Sequence, residues 1–349
     1  MRAEDGVVRK AHGIGLLSGG LDSALAALVV RDAGAQVTCL HFFTGFCVTG
    51  HNSRVGRKNR PIANHALQVA ADIGIAVELI DISEEYLSVV MRPKHGYGAN
   101  MNPCVDCRIF MLRRAKAYME KVGADFVFTG EVVGQRRMTQ THAMCRLIAR
   151  EAGLKNRLLR PLSAKFLDPT DVERAGLVDR EKLCRIHGRG RKQQLELAAQ
   201  YGVTGYMQPA GGCCFLTDES YSRKLRDLLR AQGVEELSMD DVYLLGVGRH
   251  FRLSPKLKVI VGRNEAENNF LNHYASDHVS ARAMAFNGPA VIVMGEPDPC
   301  SYATIASLAA RYCDGKQGSS VAVEFQRSGE RWSVEATPAG EALLESLRI

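Results

Sequence analysis

Apolar residues from Gly13 to Leu17 form a short run that breaks at Ser18-Gly19-Gly20-Leu21-Asp22-Ser23 and resumes as ALAALVVRDAG. The pattern predicts a buried strand, a glycine turn and a helix closed by Gly34. The unit then repeats. QVTCLHFF (36–43) predicts a strand, NHALQVAADIG (64–74) an amphipathic helix and IAVELIDI (75–82) another strand. CRIFMLRRAKAYMEKVG (107–123) predicts a longer helix that feeds a strand and glycine turn in ADFVFTG (124–130). Strands alternating with helices predict an α/β fold: a parallel sheet with helices on both faces. Such sheets bind ligands at the carboxyl ends of their strands.

After RLLRPLS (157–163) the pattern turns helical, with a basic loop entering a helix across 185–202 and a glycine-rich loop at PAGGCC (209–214). A further helix is predicted over YSRKLRDLLRAQG (221–233). From about Asp240 the texture changes to short β-rich runs with one helix at YATIASLAARYC, which predicts a smaller α+β domain. The expected organisation is a nucleotide domain over 1–216, a helical linker over 217–239 and a C-terminal domain over 240–349.

Of the 349 residues, 46% are hydrophobic and 24% charged, which excludes disordered and fibrous classes. No apolar run is long enough to span a bilayer, and the acidic start without an apolar core is not a secretory signal. The expectation is therefore a cytoplasmic protein with no membrane partner. Ten cysteines in such a chain are expected as thiols or ligands rather than disulfides. The net charge of +7 arises in the first two thirds of the chain. That field is compatible with a polyanionic partner such as nucleic acid.

Serine and paired glycines between a buried strand and a helix let backbone amides point at a phosphate, assisted by the helix N-terminus. A capped glycine turn is the ordinary alternative. No Gly-Lys-Ser/Thr follows, so this is not a Walker A loop. SGGLDS resembles the PP-loop of the N-type ATP pyrophosphatases. NPCVDC (102–107), TGEVVGQRRMTQ (129–140), LLRPL (158–162) and GGCCF (211–215) resemble the tRNA thiolation branch, with elements of both the 2-thiouridylases and the 4-thiouridine synthetases. The resemblance covers roughly residues 10–220. It implies that Ser18, Gly19, Gly20 and Ser23 hold the pyrophosphate of ATP and that Asp22 positions Mg2+ or the reacting phosphate. Leu40, His41 and Phe42 would lie beside adenine, and Gly130, Gln135 and Arg160 on the ATP or uridine side.

Cys104 and Cys107 form a C-x-x-C at a predicted helix entry, where a helix N-terminus favours the thiolate. Cys213 and Cys214 follow about a hundred residues later. Adjacent cysteines fit one tetrahedral zinc awkwardly. By resemblance to the 2-thiouridylases, Cys107 and Cys214 would run a two-cysteine persulfide mechanism. By resemblance to cluster-dependent tRNA thiolases, Cys104, Cys107 and Cys214 would ligate a 4Fe-4S cluster, with Cys213 as the alternative third ligand. The cluster is the favoured expectation. The sulfur donor would be sulfide or a persulfide carrier.

Two basic runs, RVGRKNR (54–60) and RGRK (189–192), are ordinarily solvated loops but could track phosphates near an adenylation site. The stretch 246–268 resembles the RNA-binding domain of the NFACT ribosome-quality-control proteins. On that resemblance Arg249, Arg252, Lys256, Lys258 and Arg263 would contact RNA, and His250 and Phe251 would stack on a base or ribose. The expected function is an ATP-dependent tRNA uridine thiolase. A PP-loop ligase or sulfur transferase for a small molecule is one alternative, and a non-catalytic RNA-binding quality-control factor the other.

Overall fold

The computed structural model describes residues 9–47, 65–206, 214–233, 237–314 and 320–349. The chain divides into two compact units, Met1–Thr44 with Ala63–Gly212 and Gly45–Ile62 with Cys213–Ile349.

The first unit is built on β1 (His12–Leu16), β2 (Gln36–Phe43), β3 (Ala76–Asp81), β4 (Phe126–Thr129) and β5 (Leu158–Leu159). Their order is β3-β2-β1-β4-β5, and every adjacent pair is parallel. The chain proceeds from β1 toward one edge and then jumps back to β4, so the topological switch lies between β1 and β4, where such sheets open a ligand crevice. The described helices are α1 (Leu21–Asp32), α2 (His65–Asp72), α3 (Ser83–Met91), α4 (Cys104–Val122), α5 (His142–Glu151), α6 (Asp171–Arg174) and α7 (Lys192–Tyr201). One core packs α1, α2 and α7 on a sheet face, with Leu25, Val69 and Ala198 among its members. A second core, including Ile14, Leu112 and Ile148, packs α4 and α5 on the other face. Gly13 and Gly15 let β1 lie under aromatic rings, because a Cβ there would overlap Phe126 and Phe128.

The parallel sheet and its two helical layers follow the expectation from the sequence. The helix expected from residue 107 begins at Cys104, immediately after Pro103, so the C-x-x-C occupies its first turn and not the loop before it. Two helices of this unit, α3 and α5, were not among the elements expected from the sequence.

The second unit contains α8 (Glu219–Gln232), α9 (Met239–Leu245), β6 (Arg249–Ser254), β7 (Leu257–Val261), α10 (Glu265–Asn272), β8 (Val279–Ala283), β9 (Val291–Met294), α11 (Ser301–Arg311), β10 (Val321–Arg327), β11 (Glu330–Ala336) and α12 (Glu341–Leu347). The six strands form an antiparallel sheet of order β11-β10-β8-β9-β7-β6. Phe251, Val259, Val323 and Phe325 bury one sheet face with Ile305 and Leu308 of α11. Within 217–239, read from the sequence as a helical linker, α8 bonds into this unit. The Tyr221 hydroxyl donates to the Val242 carbonyl at 3.1 Å, and Lys224 Nζ donates to the carbonyls of Leu245 and Gly248, each at 3.3 Å.

Candidate functional site

The carboxyl end of β1 turns at Ser18 into the N-terminus of α1. Gly19 takes φ +80°, a left-handed conformation open to glycine, and an added Cβ would stand 3.1 Å from the Ala66 amide nitrogen at the start of α2. Gly20 is the helix N-cap and has no side chain to bond the first amides of α1. The two serines brace the turn: Ser23 Oγ donates to the Gly20 carbonyl at 2.7 Å and lies 3.2 Å from Ser18 Oγ. The result is a helix start whose dipole and amides face the crevice uncapped, an anion-binding arrangement.

Gly130 closes that crevice from β4. A Cβ at Gly130 would overlap the Asp22 carbonyl and the Ser23 amide, so only glycine lets the two loops touch. Gln135 Nε2 donates to Asp22 Oδ2 at 3.0 Å, while Asp22 Oδ1 is buried without a hydrogen-bond partner. A carboxylate with one oxygen held and the other unmatched suits a cation or a ligand donor in the crevice, which is the fit expected for Mg2+ at Asp22. Leu40 and Phe42 are core residues, 1% and 6% exposed, so alternation along β2 leaves His41 on the opposite face. Its Nδ1 donates to the Leu17 carbonyl at 2.8 Å, and burial keeps its pKa below the ordinary value despite that bond.

Arg160 does not line the crevice as a free cation. It is buried, and its Nε donates to Glu131 Oε2 at 2.8 Å. Arg108 Nε reaches the other oxygen at 3.0 Å, and Thr129 Oγ1 donates to Oε2 at 3.2 Å. Burial alone would raise the Glu131 pKa, but the two guanidiniums hold it below the usual carboxylate range. Sequence reasoning missed Glu131 and Arg108. The TGE string could have flagged the first; the second follows Cys107 directly. Together they tie the first turn of α4, with Cys104 and Cys107, to the loop that lies on Asp22.

Cys104 and Cys107 are both partly buried. Asp106 between them accepts from the His95 amide at 2.9 Å, which fixes the helix entry. Cys214 belongs to the second unit, where it forms an antiparallel bridge with Cys47 and the Phe215 amide donates to the Phe46 carbonyl at 3.0 Å. Cys47 belonged to no recognised string and was not singled out. Cys213, the Gly211-Gly212 turn and the basic run 54–60 lie outside the described residues. Among the described residues no three His, Cys, Asp or Glu side chains are grouped to hold a metal ion.

The residues expected to touch RNA are largely committed to the second unit itself. His250 and Phe251 are 1% and 0% exposed and cannot stack on a base from the core; Lys258 is likewise buried. These three expectations are corrected. Both faces of this part of the sheet are covered, one by the core of Phe251 and Val259 and the other by that of Ile260, Leu244 and Leu271, so consecutive residues of β6 and β7 are buried. Arg252 pairs with Asp227 at 2.6 Å and Arg263 with Glu267 at 2.5 Å, while the Arg249 guanidinium lies 4.3 Å from the Tyr312 ring centre. Lys256 is exposed. Among the described residues no helix is long and apolar enough to cross a membrane.

Residues 8–173 match the family described as thiamine biosynthesis protein (ThiI), and residues 248–347 match the NFACT protein RNA binding domain. The chain is 33% identical over 131 residues to the tRNA-specific 2-thiouridylase MnmA of Syntrophotalea carbinolica, covering 34% of each chain. It is 26% identical over 253 residues to the protein of the same name from Acidithiobacillus ferrooxidans, covering 67% of this chain and 62% of that one. The chain thus spans less than two thirds of the length of these relatives. Among solved structures, a 4-thiouridine synthetase in complex with RNA and bound ATP is similar at 17% identity and a TM-score of 0.34, covering 55% of this chain and 52% of the other. The likeness to tRNA-thiolating PP-loop proteins read from the motifs is therefore present in the first unit, and the likeness to NFACT proteins in the second.

Proposed function

We propose that the chain is an ATP-dependent tRNA uridine thiolase whose chemistry belongs to the first unit. The observation that carries this reading is the closure at the β1/β4 switch, where an uncapped phosphate loop, the half-matched carboxylate of Asp22 and the glycine contact of Gly130 meet. The uracil carbonyl oxygen would attack the α-phosphorus of ATP held there and release pyrophosphate, which makes that oxygen part of a leaving group, and a nucleophilic hydrosulfide or persulfide sulfur would then displace AMP. Magnesium at Asp22 would offset phosphate charge. Gln135 holds the Asp22 carboxylate in place. The serine hydroxyls keep the loop curled with its amides toward the anion.

Cys107 immediately precedes Arg108, whose guanidinium pairs with Glu131, the neighbour of Gly130 in the loop that lies on Asp22. Two routes for sulfur follow. A three-cysteine cluster would use Cys104, Cys107 and Cys214; a persulfide route would use Cys107 and Cys214. A second reading, sulfur transfer to a small molecule, is favoured by the description of the family matched over residues 8–173, which names thiamine biosynthesis.

The test is Asp22→Asn, which keeps the acceptor for Gln135 and removes the charge. AMP and pyrophosphate formation with tRNA should fall at least about 100-fold, as removal of one transition-state charge contact commonly does. Wild-type turnover by the variant would refute the assignment. Nucleoside mass spectrometry of tRNA incubated with the wild type should show a thiouridine. Its absence, with AMP formed in the presence of a small-molecule acceptor alone, would favour the second reading.

A further inference from the structure

Eight buried side-chain polar atoms lack a hydrogen-bond partner among the described residues, and seven of them lie in the first unit. They belong to Asp22 at the start of α1, His65 at the start of α2, Glu131 and Gln140 in the loop after β4, and Arg191 and Gln194 at the start of α7. Glu131 Oε1 is accounted for by its ion pair with Arg108. The others are unmatched, although native proteins satisfy about nine in ten such groups. Gln194 is the extreme case: its side chain is 0% exposed, and both amide atoms are without partners.

These atoms gather at one end of three helices that run side by side. At the far end, Tyr201 donates to Asp32 Oδ2 at 2.9 Å and Arg31 Nη1 donates to the Ile73 carbonyl at 3.0 Å. There Leu28, Val69, Asp72 and Tyr201 line a cavity of about 210 Å³. At the near end Gly19 abuts Ala66, Gly130 abuts Asp22, and the Gly188 amide donates to the Val133 carbonyl at 2.8 Å. Counting back ten residues, about 15 Å of helix, from Asp32 and from Tyr201 reaches Asp22 and Arg191. Arg191 therefore stands level with the phosphate loop. Gln194 lies one turn below it, and helical side chains lean toward the N-terminus, that is, toward the loop.

We propose that His65, Arg191 and Gln194 complete a binding collar for the pyrophosphate half of ATP carrying a hydrated magnesium ion. The proposal rests on the ATP reading above. Three helix starts converge their positive ends on one place, which suits a polyphosphate better than a single phosphate. The unmatched atoms are of both kinds. Arg191 Nε and Gln194 Nε2 are donors for phosphoryl oxygens, whereas Asp22 Oδ1, Gln140 Oε1 and Gln194 Oε1 are acceptors that a bare anion would leave unmatched. Magnesium keeps several of its waters when bound, and those waters supply the missing donors.

The experiment is calorimetric titration of the full chain with inorganic pyrophosphate and, separately, AMP, each with magnesium, for wild type, Gln194→Met and Arg191→Met. Pyrophosphate should bind at least about tenfold more weakly to each variant, about 1.4 kcal/mol, while AMP affinity changes less than about twofold. The ligand-free Gln194→Met protein should also melt at a higher temperature than wild type, because an apolar side chain of similar shape removes an unmatched buried amide. Unchanged pyrophosphate affinity in both variants, with a lower melting temperature for Gln194→Met, would overturn the proposal: the amide would then hold a structural water, and the ATP reading would stand. Should Gln194→Met fail to fold, the Arg191→Met affinity decides. A wild type that binds neither ATP nor pyrophosphate removes the ATP reading and the collar together.

Discussion

Replacing Glu131 with glutamine tests whether the buried Arg160–Glu131–Arg108 triad holds the loop of Gly130 against Asp22. Glutamine keeps the size of the side chain and can still accept from Thr129. The change leaves Arg160, 4% exposed, as a buried cation without a counter-charge, whereas Arg108, with a side chain 27% exposed, can turn to water. Removing one partner of a buried pair costs about 3–5 kcal/mol. One stranded arginine places the expected loss near the low end, about 3 kcal/mol. With a urea slope of about 1–3 kcal/mol per molar, the unfolding midpoint by circular dichroism at pH 7 should fall by about 1–3 M. Trp332, the chain's one tryptophan, lies in the second unit. Its emission before denaturant is added should be native, showing that the lesion is local. The sign with pH follows from the lowered Glu131 pKa. The carboxylate's contribution is full above the ordinary unfolded value of about 4.3 and is lost as pH falls through the depressed folded value. Wild type and variant should therefore converge below about pH 4. A midpoint shift under about 0.3 M at pH 7, or a difference that persists undiminished into acid, would refute the triad's role.

Lys258 and Lys224 are buried, and desolvation lowers their pKa values to about 7 and about 8. Between those values and the unfolded value of about 10.4 the unfolded chain binds more protons, so second-unit stability should rise with pH, by at most about 1.4 kcal/mol per pH unit for each lysine. Thermal unfolding followed by Trp332 fluorescence from pH 7 to 10 should show the rise, and Lys258→Met should roughly halve it; a flat profile in wild type would contradict the burial. Cys104→Ala separates the sulfur routes: it should abolish both iron binding and thiolation if a cluster operates, and should retain activity if Cys107 and Cys214 act by persulfide. Anaerobic reconstitution with iron quantification reads the first outcome.

The parallel sheet was legible because β1 to β4 are mainly apolar runs bounded by glycine or polar residues, whereas the two-residue β5 was too short to read, and the phosphate loop was legible because SGGLDS joins such a run to a helix. What the pattern lost is instructive. α5 spans HAMCRLIARE, whose buried Cys145, Ile148 and Ala149 recur at helical spacing but lie outside the motif strings, so no element was assigned there. The start of α4 was expected three residues late because the C-x-x-C was assigned to the loop, although the helix begins directly after Pro103. The RNA-facing expectation is corrected at His250, Phe251 and Lys258, which are buried. A linear run of arginines and lysines carries no information about which carboxylates face it, and Asp227 and Glu267 sit on helices that pack against the same hairpin. Lys258 shares a face of β7 with Ile260, and that face is buried too because Leu244 and Leu271 pack over Ile260, a layer the strand pattern alone does not reveal.

The residues proposed to grip pyrophosphate illustrate the limit of motif reading from the opposite side. Gln194 stands in KQQLELAAQY, where its spacing to Ala198 marks the buried face of a helix and its chemistry marks the exposed one. From sequence the contradiction is silent, since glutamine is an ordinary helix former on a wet surface. Folding resolves the position in favour of burial because Ala198, one turn on, packs into the core shared with α1 and α2. Burial then strands the amide, at a cost of about 1–3 kcal/mol that an apolar side chain would avoid. Such a cost is retained where a ligand recovers it on binding. That the stranded groups of three separate helices fall at the end occupied by the phosphate loop, and none at the end lined by Tyr201 and Asp72, is what distinguishes a binding collar from scattered imperfections of packing.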